Sequence, residues 1–124
     1  MLVGVDLIEI DRIEATLARH GERFLHKVFT ETELADCEGD VRRLAARWAA
    51  KEAVAKALGT GIGEASWREI EIVRGPRGQP ALVLHGRARE ISDAAGAGGW
   101  AISLSHARDY AVAFAVRFLP VVLV

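Results

Sequence analysis

The chain has 124 residues, 51% of them hydrophobic and 27% charged, which describes one folded domain able to bury roughly two-thirds of its unfolded surface and excludes a disordered tail. Lys plus Arg number 16 against 17 Asp plus Glu, and the net charge of −1 lacks the basic excess of a general nucleic-acid binder. The single cysteine, Cys37, excludes an internal disulfide, and the N-terminus has no basic leader before Asp6, so a cytoplasmic protein is expected.

Leu2 to Ile8 is apolar and β-branched and predicts a buried strand. Asp11, with Glu14 three residues on, has capping-box spacing and predicts a helix to about His20 with Ile13 and Leu17 on its inner face. Thr30 and Glu33 repeat that spacing and predict a short helix through Leu34. A long alanine-rich helix is predicted from about Val41 to Leu58, with Gly59 at its C-cap. Trp67 to Arg74 alternates as a strand, Gly75 to Gly78 reads as a turn, and Pro80 to His85 returns as the hairpin partner. Gly86 to Ala95 predicts a helix. Trp100 to Leu104 and Tyr110 to Phe118 predict two more strands, joined by Ser105 to Asp109. The apolar run from Tyr110 to Val124 is too short to span a bilayer and carries Arg117 and Pro120. The expected fold is α+β, a long central helix packed on a mostly antiparallel sheet, in a single domain over 1–124.

Two carboxylates stand where the pattern calls for apolar residues. Asp6 shares a strand face with Leu2, Gly4 and Ile8, where it either caps the following turn or needs a partner, because an unpaired buried charge is costly. Glu52 falls on a helical stripe with Val41, Leu44, Ala45, Trp48 and Ala55, either as one half of an i,i+4 pair with Lys56 or as an acid aimed at the core. If the two meet about 5 Å apart, they repel by roughly 3 kcal/mol at an effective dielectric near 20, so one takes a proton or a cation sits between them. Oxygen ligands without a His or Cys cluster favour Mg²⁺, whose remaining positions phosphate oxygens commonly fill. Arg47, Lys51 and Lys56 lie near Glu52 in sequence and suit a metal-bound polyphosphate as well as a solvated helix face.

Gly59-Thr60-Gly61-Ile62-Gly63 follows a helix, so it is not a dinucleotide-binding fingerprint. It reads equally as a C-cap and loop or as a nest of N–H groups for an anion. Ser105, His106 and Asp109 share one short turn and do not make a hydrolase triad. His106 is the better candidate for a phosphate contact.

The run Gly4-Val5-Asp6-Leu7-Ile8-Glu9-Ile10-Asp11-Arg12-Ile13 resembles the opening motif of the holo-acyl-carrier-protein synthase family of phosphopantetheinyl transferases. Phe29 to Leu34 is similar to its second block, and Arg47 to Gly61 to its W/F-x-x-K-E-x-x-x-K helix. Gly78-Gln79-Pro80, Ser103 to His106 and Tyr110 to Ala113 match later blocks, in family order. The resemblance implies transfer of 4′-phosphopantetheine from coenzyme A to a serine of an apo acyl carrier protein, of fatty-acid or secondary metabolism, with release of adenosine 3′,5′-bisphosphate. It implies that Asp6 and Glu52 hold Mg²⁺, that Lys56 contacts phosphate and shares catalysis with them, and that Arg47, Lys51, Gly59, Gly61 and His106 contact the CoA substrate. Either Glu52 or a metal-bound water would take the serine proton. A binding module without catalysis is the alternative, and the presence of all three of Asp6, Glu52 and Lys56 speaks against it.

An acidic carrier calls for a basic docking surface, and Arg12, Thr16, Arg19 and, if the first helix continues, Arg23 recur on one face. The last strand pairs a bulky face, Tyr110, Val112, Phe114, Val116 and Phe118, with a small one, Ala111, Ala113 and Ala115. Both faces look buried. The family's short members resemble trimers with sites between subunits, so a homotrimer is expected.

Overall fold

The computed structural model describes residues 1–96 and 98–119. The elements run β1 (Leu2–Glu9), α1 (Ile10–His20), α2 (Glu22–Val28), α3 (Glu31–Cys37), α4 (Val41–Leu58), β2 (Ile70–Arg74), β3 (Pro80–Leu84), α5 (Gly86–Ala94), β4 (Trp100–His106) and β5 (Tyr110–Arg117). Three strands form an antiparallel sheet in the order β1-β5-β4, and β2 and β3 make a separate hairpin. The α+β expectation holds, with α4 lying across the three-stranded sheet.

Small residues allow that crossing. Ala111, Ala113 and Ala115 are fully buried on β5, and Ala49, Ala53 and Ala57 are buried on one arc of α4. At Gly4 the approach is closer still: a methyl group there would collide with the carbonyl oxygen of Ala53. Among the described residues, nothing packs over the opposite side of the sheet. Val3, Val5, Leu7, Tyr110 and Phe114 are between 45% and 61% exposed, and the register sets Val5 beside Phe114 and Leu7 beside Val112. Among the described residues, α4 therefore covers the alanine face of β5, and the bulky face that also looked buried is left uncovered.

The structure shifts several sequence expectations. The Asp11–Glu14 box does not open α1, whose N-cap is Glu9, two residues earlier, and makes no side-chain bond. β1 runs straight into α1, and Asp11 sits inside the first turn, where its charge still suits the helix dipole. The Thr30–Glu33 box is present, and α3 extends to Cys37. Trp67–Glu69 is a 3-10 turn, drawn tight because the Glu69 carboxylate accepts hydrogen bonds from the Ser66 and Arg87 amides. β4 runs on to His106. The stripe read as the inner face of α4 is covered only in part: Leu44, Ala45 and Ala55 are buried, Val41, Trp48 and Glu52 are half-buried, and Lys56, one turn beyond Glu52, is exposed. Sheet, hairpin and α3 cover α4 on several sides, so the wet arc, and not the dry one, is the narrow stripe. The tail 120–124 lies outside the described residues.

Candidate active site

Asp6 is carried on the helix-facing side of β1, and its side chain is 14% exposed. Lys56, from the last turn of α4, donates to Asp6 Oδ1 at 3.0 Å and to the Val5 carbonyl at 2.9 Å. An ammonium has three donors, so one remains for a further acceptor. Asp6 Oδ2 is buried and accepts no hydrogen bond. Glu52, one turn before Lys56, completes the group. Its burial, and then the Asp6 charge, push its pKa above the ordinary carboxylate value, with Lys56 pulling the other way. Asp6 and Glu52 are thus near enough to repel, as their positions in sequence suggested.

An orphaned carboxylate oxygen beside a second carboxylate short of partners is the donor set of a hard cation. Among the described residues no third His, Cys, Asp or Glu joins them as a metal cluster. A cation held here would keep most of its coordination positions open to water or ligand oxygens.

Lys51, Gly59 and Gly61, three members of the expected coenzyme set, do not join this site. Lys51 is fully buried, and its ammonium is consumed by Glu33 Oε1 at 2.7 Å, the Trp67 carbonyl at 2.9 Å and the Ile70 carbonyl at 2.6 Å. It points into the body of the protein because its arc of α4 is covered by α3 and β2. The Gly59–Gly61 turn is a helix cap and not an anion nest. Gly59 N–H donates to Lys56, and the Thr60 and Gly61 N–H groups donate to Ala55, so all three point back into the helix. Gly59 and Gly61 serve by adopting positive φ, 81° and 63°, and thereby end α4 just beyond Lys56.

Arg47 occupies a second place, on a different arc of α4. Arg47 and Arg43, one turn apart, line a cavity of about 160 Å³ with Arg74, Gly78, Pro80 and Leu104. The Arg47 guanidinium lies 3.8 Å from Asp36, and its Nε is buried without an acceptor. The i,i+4 spacing of Arg43 and Arg47 was a visible signal for the first of these additions. Arg74 had none, because β2 reaches the cavity only through tertiary packing. His106 ends β4, exposed, on the strand two places from β1. One chain therefore holds an acidic centre at Asp6–Glu52–Lys56 and a separate basic cavity at Arg47.

Arg12 and Arg19 are exposed on α1. The helix breaks at Gly21 (φ 54°), and Arg23 belongs to α2. The face survives the break: a cavity of about 380 Å³ between the two helices is lined by Thr16, His20, Arg23, Phe24 and Lys27. Arg19 flanks Thr16 and His20 in a second hollow of about 240 Å³.

Residues 2–115 match the family model of the 4′-phosphopantetheinyl transferase superfamily. The chain is 49% identical over 123 residues to the holo-(acyl-carrier-protein) synthase of Herpetosiphon aurantiacus, covering 94% of this chain and 97% of that one. It is 50% identical over 121 residues to the corresponding synthase of Ruminiclostridium cellulolyticum, covering 94% and 90%. Among solved structures, the Helicobacter pylori synthase in complex with coenzyme A superimposes with a TM-score of 0.87 at 31% identity, covering 94% of this chain and all of that one.

Proposed function

Because the chain belongs to the 4′-phosphopantetheinyl transferase superfamily, we propose that this enzyme moves 4′-phosphopantetheine from coenzyme A to a serine hydroxyl of an apo acyl carrier protein and releases adenosine 3′,5′-bisphosphate. The observation that carries the reading is the Asp6–Glu52 pair, with its orphaned oxygen and the Lys56 ammonium beside it.

Asp6 and Glu52 fit Mg²⁺ and would hold it, and the ion would supply a Lewis acid at the CoA pyrophosphate. The protein's share is positioning and charge, which dominate phosphoryl transfer. Lys56 brings its remaining N–H and positive charge to a phosphate oxygen. Glu52, half-buried beside Asp6, is the candidate acceptor among the side chains for the proton leaving the carrier serine. Arg47 and His106 remain candidates for the rest of CoA. Neither lies in the acidic centre of its own chain, which suits a site shared between subunits.

We assign the carrier to the face of Arg12, Arg19 and Arg23. Basic side chains there would steer an acidic partner and raise its association rate. The open apolar face of the three-stranded sheet supports a homo-oligomer, read as a trimer, since exposed patches of this kind mark interaction surfaces. No helix among the described residues is long and apolar enough to cross a membrane. The buried thiol of Cys37 suits a reducing compartment, and we place the reaction in the cytoplasm.

Incubation with CoA, Mg²⁺ and an apo carrier protein tests the reading by intact mass of the carrier. A gain of one phosphopantetheine group is expected. An unmodified carrier in the presence of an enzyme that binds CoA would favour the binding-module alternative.

A further inference from the structure

Resting on the metal-site reading of Asp6 and Glu52, we propose that Lys51 and Glu33 are positioning residues that fix the rotation of α4 and so set Glu52 opposite Asp6. Neither touches the site.

The geometry of α4 carries the inference. At 100° per residue, with Lys51 taken as the origin, Trp48 lies at about 60°, Glu52 at about 100°, Lys56 at about 140° and Ala53 at about 200°. The functional arc is bounded by two contacts. On the far side, Ala53 presses its backbone against Gly4 of β1. On the near side stands Lys51, with every N–H of its ammonium bonded. The alanine contact sets how closely the helix approaches the sheet. It supplies little resistance to rotation, because small apolar side chains lack directional bonds. Lys51 supplies direction: its acceptors come from α3, from the 3-10 turn and from the first residue of β2.

Those acceptors are themselves held. Glu33 is fully buried, and its Oε1 also accepts from the Thr30 amide while Oε2 accepts from the Ile72 amide. Trp67, whose carbonyl holds Lys51, also stacks its ring on Trp48 at 5.3 Å, on the same side of α4. Phe29 closes the pocket, with its ring 5.7 Å from the Lys51 nitrogen. A buried methionine would fill the same volume without a fixed angle. The charged pair therefore supplies a register device, a recognised use of buried ion pairs.

Two variants test this: Glu33→Gln, which keeps the shape and one of the two acceptor oxygens, and Lys51→Met with Glu33→Gln, which leaves neither charge unpaired. Mn²⁺ binding in the presence of CoA is followed by electron paramagnetic resonance, and transfer is followed as a function of Mg²⁺. The expected result is an apparent cation affinity weakened about threefold in the single variant and tenfold or more in the double. The KM for the carrier should stay unchanged and most of the turnover should return at saturating Mg²⁺. If the pair only holds the fold, the active fraction falls and the cation midpoint stays in place, which overturns the proposal. Should the double variant fail to fold, an unmoved midpoint in folded Glu33→Gln overturns it equally. Wild-type enzyme without Mg²⁺ dependence, or Asp6→Asn with an unmoved midpoint, would instead overturn the metal-site reading.

Discussion

Asp6 meets two demands that a single apolar side chain could not. One of its oxygens anchors Lys56, and the other lies buried and unpaired, a costly arrangement that a cation relieves. Replacing Asp6 with Asn or Glu52 with Gln should each leave the fold intact and lower transfer by about a hundredfold, the scale on which removal of one preorganised electrostatic contact acts. Glu52 gives a second, independent readout. Its folded pKa lies above the ordinary value of 4.5, so the fold favours the protonated form. Its contribution to stability is fully present below that value and is lost as pH rises through the folded one. Without divalent cation, Glu52→Gln should therefore melt higher than wild type at pH 8. The gain should vanish near pH 4, where both forms are neutral. An equal gain at both pH values, by calorimetry, would show that the cost of ionising Glu52, from its burial first and then from the Asp6 charge, is not its cause.

The decisive element is α4, and its closeness to the sheet depends on what its neighbours lack. Gly4 has no side chain at the point where the Ala53 carbonyl meets β1. Gly4→Ala should force the helix away and cost about 1–3 kcal/mol, the usual range for overpacking, or a fall of several degrees in Tm. Transfer should fall with it, because Asp6 stands two residues along the same strand and faces the same helix. A variant with wild-type Tm would mean that β1 can shift without loss. At the other end of the helix, Gly59 allows the left-handed turn that stops α4 after Lys56, and the amides beyond it are spent on the cap.

At the scale of the whole molecule, the described residues leave one sheet face uncovered, and assembly should be tested on that face. An alternating strand first suggests Ala113 as the place to insert a charge. Ala113 is fully buried beneath α4, so Ala113→Arg would unfold the chain instead of parting subunits. Phe114, half exposed and paired with Val5, is the suitable position. Phe114→Glu should yield a folded monomer that has lost transfer, because a buried unpaired charge at an interface costs several kcal/mol and the Arg47 cavity lies apart from the Asp6 centre in one chain. Light scattering and carrier modification on one dilution series check this. A monomer with full specific activity would show that each chain carries a complete site.

Much of the molecule was legible in the residues. The alanine-rich run from Val41 to Leu58 is bounded as read, and Gly59 caps it. The Thr30–Glu33 box opens α3, and the misplaced acids Asp6 and Glu52 do approach one another. These features are local or are violations of a local pattern, and a sequence records both. Lys51 and Lys56 mark the limit. They stand at about 60° and 80° on either side of the Trp48 axis, and neither angle tells which is covered, yet one is sealed against Glu33 and the other reaches Asp6. Arg74 reaches the Arg47 cavity, and Gly59 and Gly61 cap a helix without cradling an anion, for the same kind of reason. Helical periodicity gives the angle of each side chain about its own axis. Which arc is dry depends on what packs against it, and that was decided by the tertiary placement of α3, β2 and the sheet around α4.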